Sequence, residues 1–287
     1  MLNKVKLYLK GASKLYNKEI ITSGDYAKEY DKVASTYNLW LAEMGKFTDK
    51  IIKPEYYNEE KRLKILDFAC GTGYITKKLL EKEIDCEITA VDISAKMLEQ
   101  FKEVVGSEVR IINQDGMKFL ENTEEKFDLV FCGWALPYFN QKELIKQFKR
   151  VLYKKGLACV IVNSQGTLQG IEEIFLKVME KNQQEVNKFM DIRFHLPKGT
   201  EGLEKWFKNQ NFATVKISEE ENNFAFDTPE ELFEWLTKTG AIAGTAQIFQ
   251  DFEKVKDDII AEIKKKKYEN GKYVINHKFA SGIFQRS

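Results

Sequence analysis

The sequence predicts an α/β protein built on a doubly wound, largely parallel sheet, and three observations predict it. Short apolar runs alternate with stretches of helical period between residues 63 and 164. A glycine turn, Gly71-Thr72-Gly73, follows the first run. Acids, Asp92 and Asp115, end the next two. Strands alternating with helices at this spacing form βαβ units, with helices on both faces of the sheet.

Each element follows from local pattern. Residues 1–60 are mixed, polar and Tyr-rich, and Tyr30, Val33, Tyr37, Leu41 and Met44 recur at three or four as one face of a helix does. This segment predicts an N-terminal helical cap. KILDFACG suits a buried strand, and YITKKLLEKEI restores helical period. EITAVDIS is a second strand, and Ser94 is placed to cap the helix AKMLEQFKEVV. VRIINQD is the third. KFDLVFCG, the fourth, leads through WALPYF to the helix KELIKQFKRVL, and GLACVIVNS is the fifth. Residues 61–165 thus form the ligand-binding core.

Beyond Ser164 the rhythm breaks. Ile171, Ile174, Phe175, Val178 and Met179 mark an amphipathic helix where a strand would ordinarily come. A shorter helix around Leu203–Phe207 and a strand at TVKIS follow. Thr228-Pro229-Glu230-Glu231 is a helix start, with a capping Thr, Pro at the first helical position and Glu three residues after the cap. Phe252, Val255, Ile259 and Ile263 give one more helix, and YVINHKFASGIF is a seventh strand. Residues 166–287 therefore read as helical lid insertions plus the last strands of the sheet.

Composition narrows the function. The 287 residues carry 45 basic and 44 acidic side chains, a net charge of +1, which argues against a nucleic-acid binder. No apolar stretch approaches the roughly 20 residues a membrane span needs. The basic N-terminus has no secretory pattern. Cys70, Cys86, Cys132 and Cys159 show no paired spacing, so the expected location is a reducing cytoplasm without metal or disulfides. Lys264–Lys267 reads as a solvated helix end, where cations complement the dipole.

In Asp67-Phe68-Ala69-Cys70-Gly71-Thr72-Gly73 the glycines allow a sharp turn and close approach of a ligand at the strand's carboxyl end. Amides opening the next helix favour a carboxylate. A dinucleotide reading wants Gly or Ala at position 76, where Thr76 would crowd helix against strand. D-x-A-x-G-x-G instead resembles the first motif of the class I S-adenosylmethionine-dependent methyltransferases, with Ala69 in place of the more usual Gly.

That resemblance implies a Rossmann-like, seven-stranded sheet and S-adenosyl-L-methionine as cofactor, released as S-adenosyl-L-homocysteine. It places Asp67 toward the cofactor's ammonium, with Ala69, Cys70, Gly71 and Gly73 around it. It places Asp92 on both ribose hydroxyls, beside Ile93 and Met97. Nicotinamide enzymes use the same acid, so Asp92 alone does not discriminate. Asp115 would accept from the adenine amino group, with Gly116 and Met117 on the ring. Cys132 and Gly133 would border the methionine part. Tyr30 and Tyr37 would line the inner face of the N-terminal helix.

The order of NSQGTLQGIEEIF, RFHLPKG, FDTPEELFEWLTKTGA and GKYVINHKFASGIF resembles one branch, the malonyl-acyl-carrier-protein O-methyltransferases of biotin synthesis and their relatives. This chain departs from that branch after the fourth strand, at Cys132-Gly133-Trp134-Ala135-Leu136-Pro137-Tyr138. The acceptor expected is a small molecule or a carrier-bound acyl group, a carboxylate favoured because it needs no base. A metabolite amine or hydroxyl is the alternative. Arg193 is the candidate counter-charge, Trp134 and Tyr138 the walls, and His195 the candidate acid/base. A nicotinamide-dependent oxidoreductase and a catalytically silent cofactor binder remain open at this point.

Overall fold

The computed structural model describes residues 2–16, 19–53, 55, 62–106, 108–190 and 196–287. It divides into two compact units. One comprises Met1–Val33, Gly166–Phe194 and Asn222–His277; the other comprises Ala34–Gln165, His195–Glu221 and Lys278–Ser287. The segment read as one cap, residues 1–60, contributes to both.

The second unit carries the sheet. Its strands are β1 (Leu63–Phe68), β2 (Cys86–Asp92), β3 (Arg110–Asn113), β4 (Phe127–Gly133) and β5 (Leu152–Asn163), with parts of β6 (Phe212–Phe226) and β8 (Lys272–Arg286). The spatial order is β3-β2-β1-β4-β5-β8-β6, so the seven strands expected from the sequence form the main path. A two-residue β7 (Tyr268–Glu269) adds an eighth, paired with β8 within the first unit. The pairs among β1 to β5 are parallel, and β8 runs antiparallel to β5. Strand order reverses between β1 and β4, and ligands of open α/β sheets bind outside the carboxyl ends at such a switch point.

Four helices connect the parallel strands with apolar faces inward: α4 (Tyr74–Glu81), α5 (Ala95–Val104), α6 (Gly116–Asn122) and α7 (Gln141–Val151). Leu144, Ile145, Phe148 and Val151 of α7 are fully buried, with Phe68, Phe131 and Leu152 also buried. Ser94 caps α5 by accepting from the Met97 amide at 3.0 Å, as its position predicts. The fifth strand starts earlier than its apolar run. Leu152 pairs with Phe127, the register then shifts, and Leu157 pairs with Leu129. Lys155 turns through φ +66°, and a Cβ on Gly156 would meet two carbonyl oxygens at 2.9 Å, the signature of an irregular strand entry.

The helix predicted through Tyr30 and Met44 is two helices, α2 (Ser23–Val33) and α3 (Tyr37–Thr48), interrupted at Ala34-Ser35-Thr36. Ser and Thr compete with helical hydrogen bonding, and the apolar period carries across the break by coincidence of spacing. TVKIS is the start of a 15-residue strand, β6. Its polar continuation, SEEENN, hides the strand from hydropathy.

The first unit packs α1 (Leu2–Tyr16), α2, α8 (Ile171–Lys181), α10 (Pro229–Lys238) and α11 (Glu253–Lys266). The expected stripes meet in one core: Ile171, Ile174, Phe175 and Val178 of α8 with Val255, Ile259 and Ile263 of α11. Thr228 opens α10 with a full capping box, as predicted. Lys264, Lys265 and Lys266 lie in the last turn of α11, Lys265 paired with Glu262 and Lys266 with Glu173. Among the described residues no helix is long and apolar enough to cross a membrane.

Candidate active site

Strand β1 delivers Asp67 to its carboxyl end, where the side chain is 1% exposed. One carboxyl oxygen accepts from the Thr76 hydroxyl at 2.7 Å; the other, Oδ1, has no hydrogen-bond partner. Burial pushes the Asp67 carboxyl up to about 7, with the Asp92 charge adding and the Thr76 bond opposing. An unpaired, buried carboxyl oxygen costs on the order of 1–3 kcal/mol and calls for a partner.

Thr76 was the residue expected to crowd helix α4 against the sheet. It is fully buried, and its hydroxyl donates to Asp67. A glycine there would remove that hydroxyl donor and leave Asp67 the backbone amide alone.

The turn after β1 is held in left-handed backbone. Ala69 has φ +54°, Gly71 φ +55° and Gly73 φ +86°. Ala69 therefore stands where the usual Gly is the unstrained choice, at a cost of roughly 1–2 kcal/mol. A Cβ on Gly73 would lie 2.6 Å from the Phe101 ring, so that glycine serves packing. A Cβ on Gly71 would meet no heavy atom within 4 Å. Gly71 thus borders open space at the mouth of the loop, while Gly73 closes its base.

Asp92 ends β2 and ties the neighbouring loops together. Its Oδ2 accepts from the Gly71 amide at 2.8 Å and its Oδ1 from the Ser94 amide at 2.8 Å. Ile93 follows at the surface and Met97 is buried. Asp115 caps helix α6 (Gly116–Asn122), accepting from the Lys118 amide at 3.1 Å. A Cβ on Gly116 would strike the Phe68 ring at 2.6 Å, so this glycine lets α6 approach β1, and Met117 packs against the same core.

Cys70 and Cys132 are buried, and burial raises both thiols, Cys132 to about 12. Neither is a nucleophile at neutral pH. Gly133 ends β4, and Trp134 follows with φ +66°. The Trp134 indole donates to the Thr48 hydroxyl at 3.0 Å and meets Trp40 and Phe279 edge-on at centroid distances of 4.8 and 5.1 Å. Trp134 is thereby an anchor between α3 and the sheet, 8% exposed. Tyr37, at the start of α3, is buried; burial raises its phenol, and the nearby Tyr138 and Asp92 add to this. Tyr37, Tyr138 and Asp92 are thus gathered at one end of the sheet.

Sequence reasoning missed what holds α3 down. Asn38 accepts from the Thr72 hydroxyl at 2.7 Å, placing the helix on the glycine loop. A Cβ on Gly45 would overlap the Tyr74 ring, whose hydroxyl donates to Asp49 at 3.0 Å. Polar residues on a helix give no hydropathy signal, so these ties were invisible. Tyr30 lies on α2 in the other unit. Arg193 and His195 lie outside the described residues. Among the described residues no group of three or more His, Cys, Asp or Glu is arranged to hold a metal ion.

This arrangement resembles that of class I S-adenosylmethionine-dependent methyltransferase domains. Residues 65–156 match the family model described as a methyltransferase domain. The chain is 30% identical over 117 residues to a malonyl-[acyl-carrier protein] O-methyltransferase of Acetivibrio thermocellus, covering 39% of each chain. It is 27% identical over 159 residues to the enzyme of the same name from Priestia megaterium, covering 54% of this chain and 57% of that one. The chain thus spans about two fifths to just over half the length of these relatives. In fold it is similar to a Bacillus halodurans protein provisionally classed as a methyltransferase, with TM-score 0.54, 15% identity and coverage of 83% of this chain and 98% of that one. It is also similar to a Haemonchus contortus phosphoethanolamine N-methyltransferase solved with S-adenosyl-L-methionine, with TM-score 0.51, 18% identity and coverage of 89% and 57%.

Proposed function

We propose that this protein transfers a methyl group from S-adenosyl-L-methionine to a carboxylate of a small or carrier-bound acyl acceptor. The observation that carries the cofactor part is the buried, unpartnered Oδ1 of Asp67, on the strand that leads into the glycine loop. When bound, S-adenosyl-L-methionine supplies a methyl group already activated on a sulfonium. Asp67 would hold its ammonium, Asp92 its ribose hydroxyls, and Asp115 with Gly116 and Met117 its adenine. Ala69, Cys70 and Gly73 shape the loop, Ile93 and Met97 would flank the ribose, and Cys132 and Gly133 would border the methionine part.

The chain's remaining task is to align the acceptor and exclude water, worth about 7–11 kcal/mol when orientation is good. Tyr37, Tyr138 and Trp134 are the proposed walls. A carboxylate is ionised at neutral pH and needs no base, so His195 is at most an accessory group. The carboxylate preference rests on the relatives named malonyl-[acyl-carrier protein] O-methyltransferase. Methyl transfer from labelled cofactor to malonyl-carrier protein tests this. Labelling of a hydroxyl or amine acceptor in its place overturns the carboxylate assignment, and failure to bind S-adenosylhomocysteine overturns the whole reading.

A further inference from the structure

Helix α1 carries two apolar faces, one turned inward and one outward. On the inner face Leu7 is buried in the core that α8 and α11 share. Gly11 lies on the same side, where a Cβ would come within 2.9 Å of the Phe189 ring. Lys10 donates to the Gln183 and Val186 carbonyls at 2.8 Å each, which fixes the helix in place. All of these residues belong to one compact unit. At about 100° per residue, Leu9, Ala12 and Tyr16 fall on the opposite side. Leu9 is 66% and Tyr16 89% exposed, the two highest values among the described large hydrophobic residues, and Ala12 is exposed between them. Leu2 and Val5 continue the same register toward the start of the helix. A single exposed apolar residue is ordinary, but a stripe aligned opposite a packing face marks an interaction surface.

The charge of this segment is one-sided. Residues 1–19 hold five lysines and one acid, Glu19, so the rest of the chain is net negative although the whole is +1. Glu19 pairs with Lys14 and takes up that one charge. Lys10 meets carbonyl oxygens, which orient its ammonium without neutralising it. Lys6 is exposed and flanks the outer stripe. Every charged side chain on α1 itself is a cation.

An apolar stripe with only cations beside it matches a surface that is anionic on top and apolar beneath. A leaflet containing anionic lipid has that layering: acyl chains accept Leu9 and Ala12, the headgroup level suits Tyr16, and lipid phosphates attract Lys6. The 15 residues of α1 rise about 22 Å, short of the roughly 30 Å hydrocarbon core, so the helix would lie along such a surface and not across it. A nucleic acid offers the stripe no apolar layer, and a second copy would set lysine against lysine. We propose that the outer face of α1 docks this protein reversibly on an anionic lipid surface. The proposal stands apart from the methyltransferase reading and from the glycine loop.

Sedimentation of the full chain with vesicles of mixed phosphatidylglycerol and phosphatidylcholine, and with vesicles of phosphatidylcholine alone, tests it. The mixed vesicles should hold the chain roughly tenfold more strongly or better. Salt at about 0.5 M should remove most of that difference. Leu9→Gln/Tyr16→Gln places good helix formers at exposed positions, so its unfolding midpoint should match that of the native chain. Its binding to mixed vesicles should nevertheless fall by roughly tenfold or more. Lys6→Gln should weaken binding to mixed vesicles about fivefold and leave neutral vesicles unaffected. Equal binding to both kinds of vesicle, binding unchanged by the double variant, or no binding to either overturns the proposal. Concentration-dependent dimers in analytical ultracentrifugation, abolished by the double variant and without vesicle binding, would assign the face to a second copy and overturn the lipid surface.

Discussion

Asp67 gives cofactor affinity a calculable pH dependence. In the free protein burial holds its carboxyl near 7, so it is mostly protonated below that pH. In the proposed complex an ammonium faces the unpartnered Oδ1, and that contact requires the carboxylate. Binding at low pH must therefore expel a proton. With a free-state value of about 7, the ionised fraction rises from about 10% at pH 6 to about 90% at pH 8, so S-adenosylhomocysteine affinity should climb about tenfold, or roughly 1.4 kcal/mol, across that interval. Above pH 8 it should level off. The assay is titration calorimetry at pH 6, 7 and 8 in buffers of different ionisation enthalpy, which reads the released proton directly. Asp67→Asn should bind weakly and lose the slope. Affinity that is flat from pH 6 to 8, with no proton released at pH 6, would refute the placement of the ammonium on Asp67.

Further expectations follow from the same geometry. Gly71→Ala should fold with a loss of about 1–2 kcal/mol for its left-handed backbone, yet bind S-adenosylhomocysteine at least tenfold more weakly, since its methyl enters the open space. Gly73→Ala should instead cost about 2–4 kcal/mol in denaturant unfolding, strain plus overlap with Phe101, so a milder result would mean the loop shifts freely. His277 is buried, and burial lowers its imidazole to about 4. The unfolded chain protonates first as pH falls, so about 3 kcal/mol of stability present above pH 6.5 should drain away by pH 4. Asp67, raised above its unfolded value, acts in the opposite direction between about pH 4 and 7. Hence the His277 slope should emerge most clearly in Asp67→Asn, and vanish in Asp67→Asn/His277→Leu. Arg150 donates to the Leu120 and Thr123 carbonyls where α6 ends, so Arg150→Met should lower stability by about 2 kcal/mol without changing cofactor affinity.

The core of the fold was legible because β1 to β5 and their helices bury continuous apolar runs or clean helical stripes, and strong periodicity survives tertiary context. Ser94, Thr228 and the glycine loop were legible because capping and left-handed turns demand particular residues. The long strand β6 was legible only in part, since Glu219 to Asn223 carries no apolar alternation. The break between α2 and α3 was masked by a stripe that keeps its spacing across two helices. At the site, Asp67, Gly71 and Asp92 announced themselves by type and position. The Thr76 bond to Asp67 was unreadable, because a residue's volume says nothing of the partner its hydroxyl finds. Asn38 and Thr48 were unreadable, because a single polar side chain on a helix says nothing about its partner.

The bonds from Asp92 to the Gly71 and Ser94 amides bear on how quickly the protein can capture its cofactor. The carboxylate proposed to hold the ribose is already a strut between two turns, fixed when the sheet forms and not when the ligand arrives. Little chain ordering then remains for the encounter itself. Capture should accordingly be governed by diffusion and by the proton on Asp67. Removing Asp92 should unmoor the glycine turn in the empty protein, a change visible as faster amide exchange at Gly71.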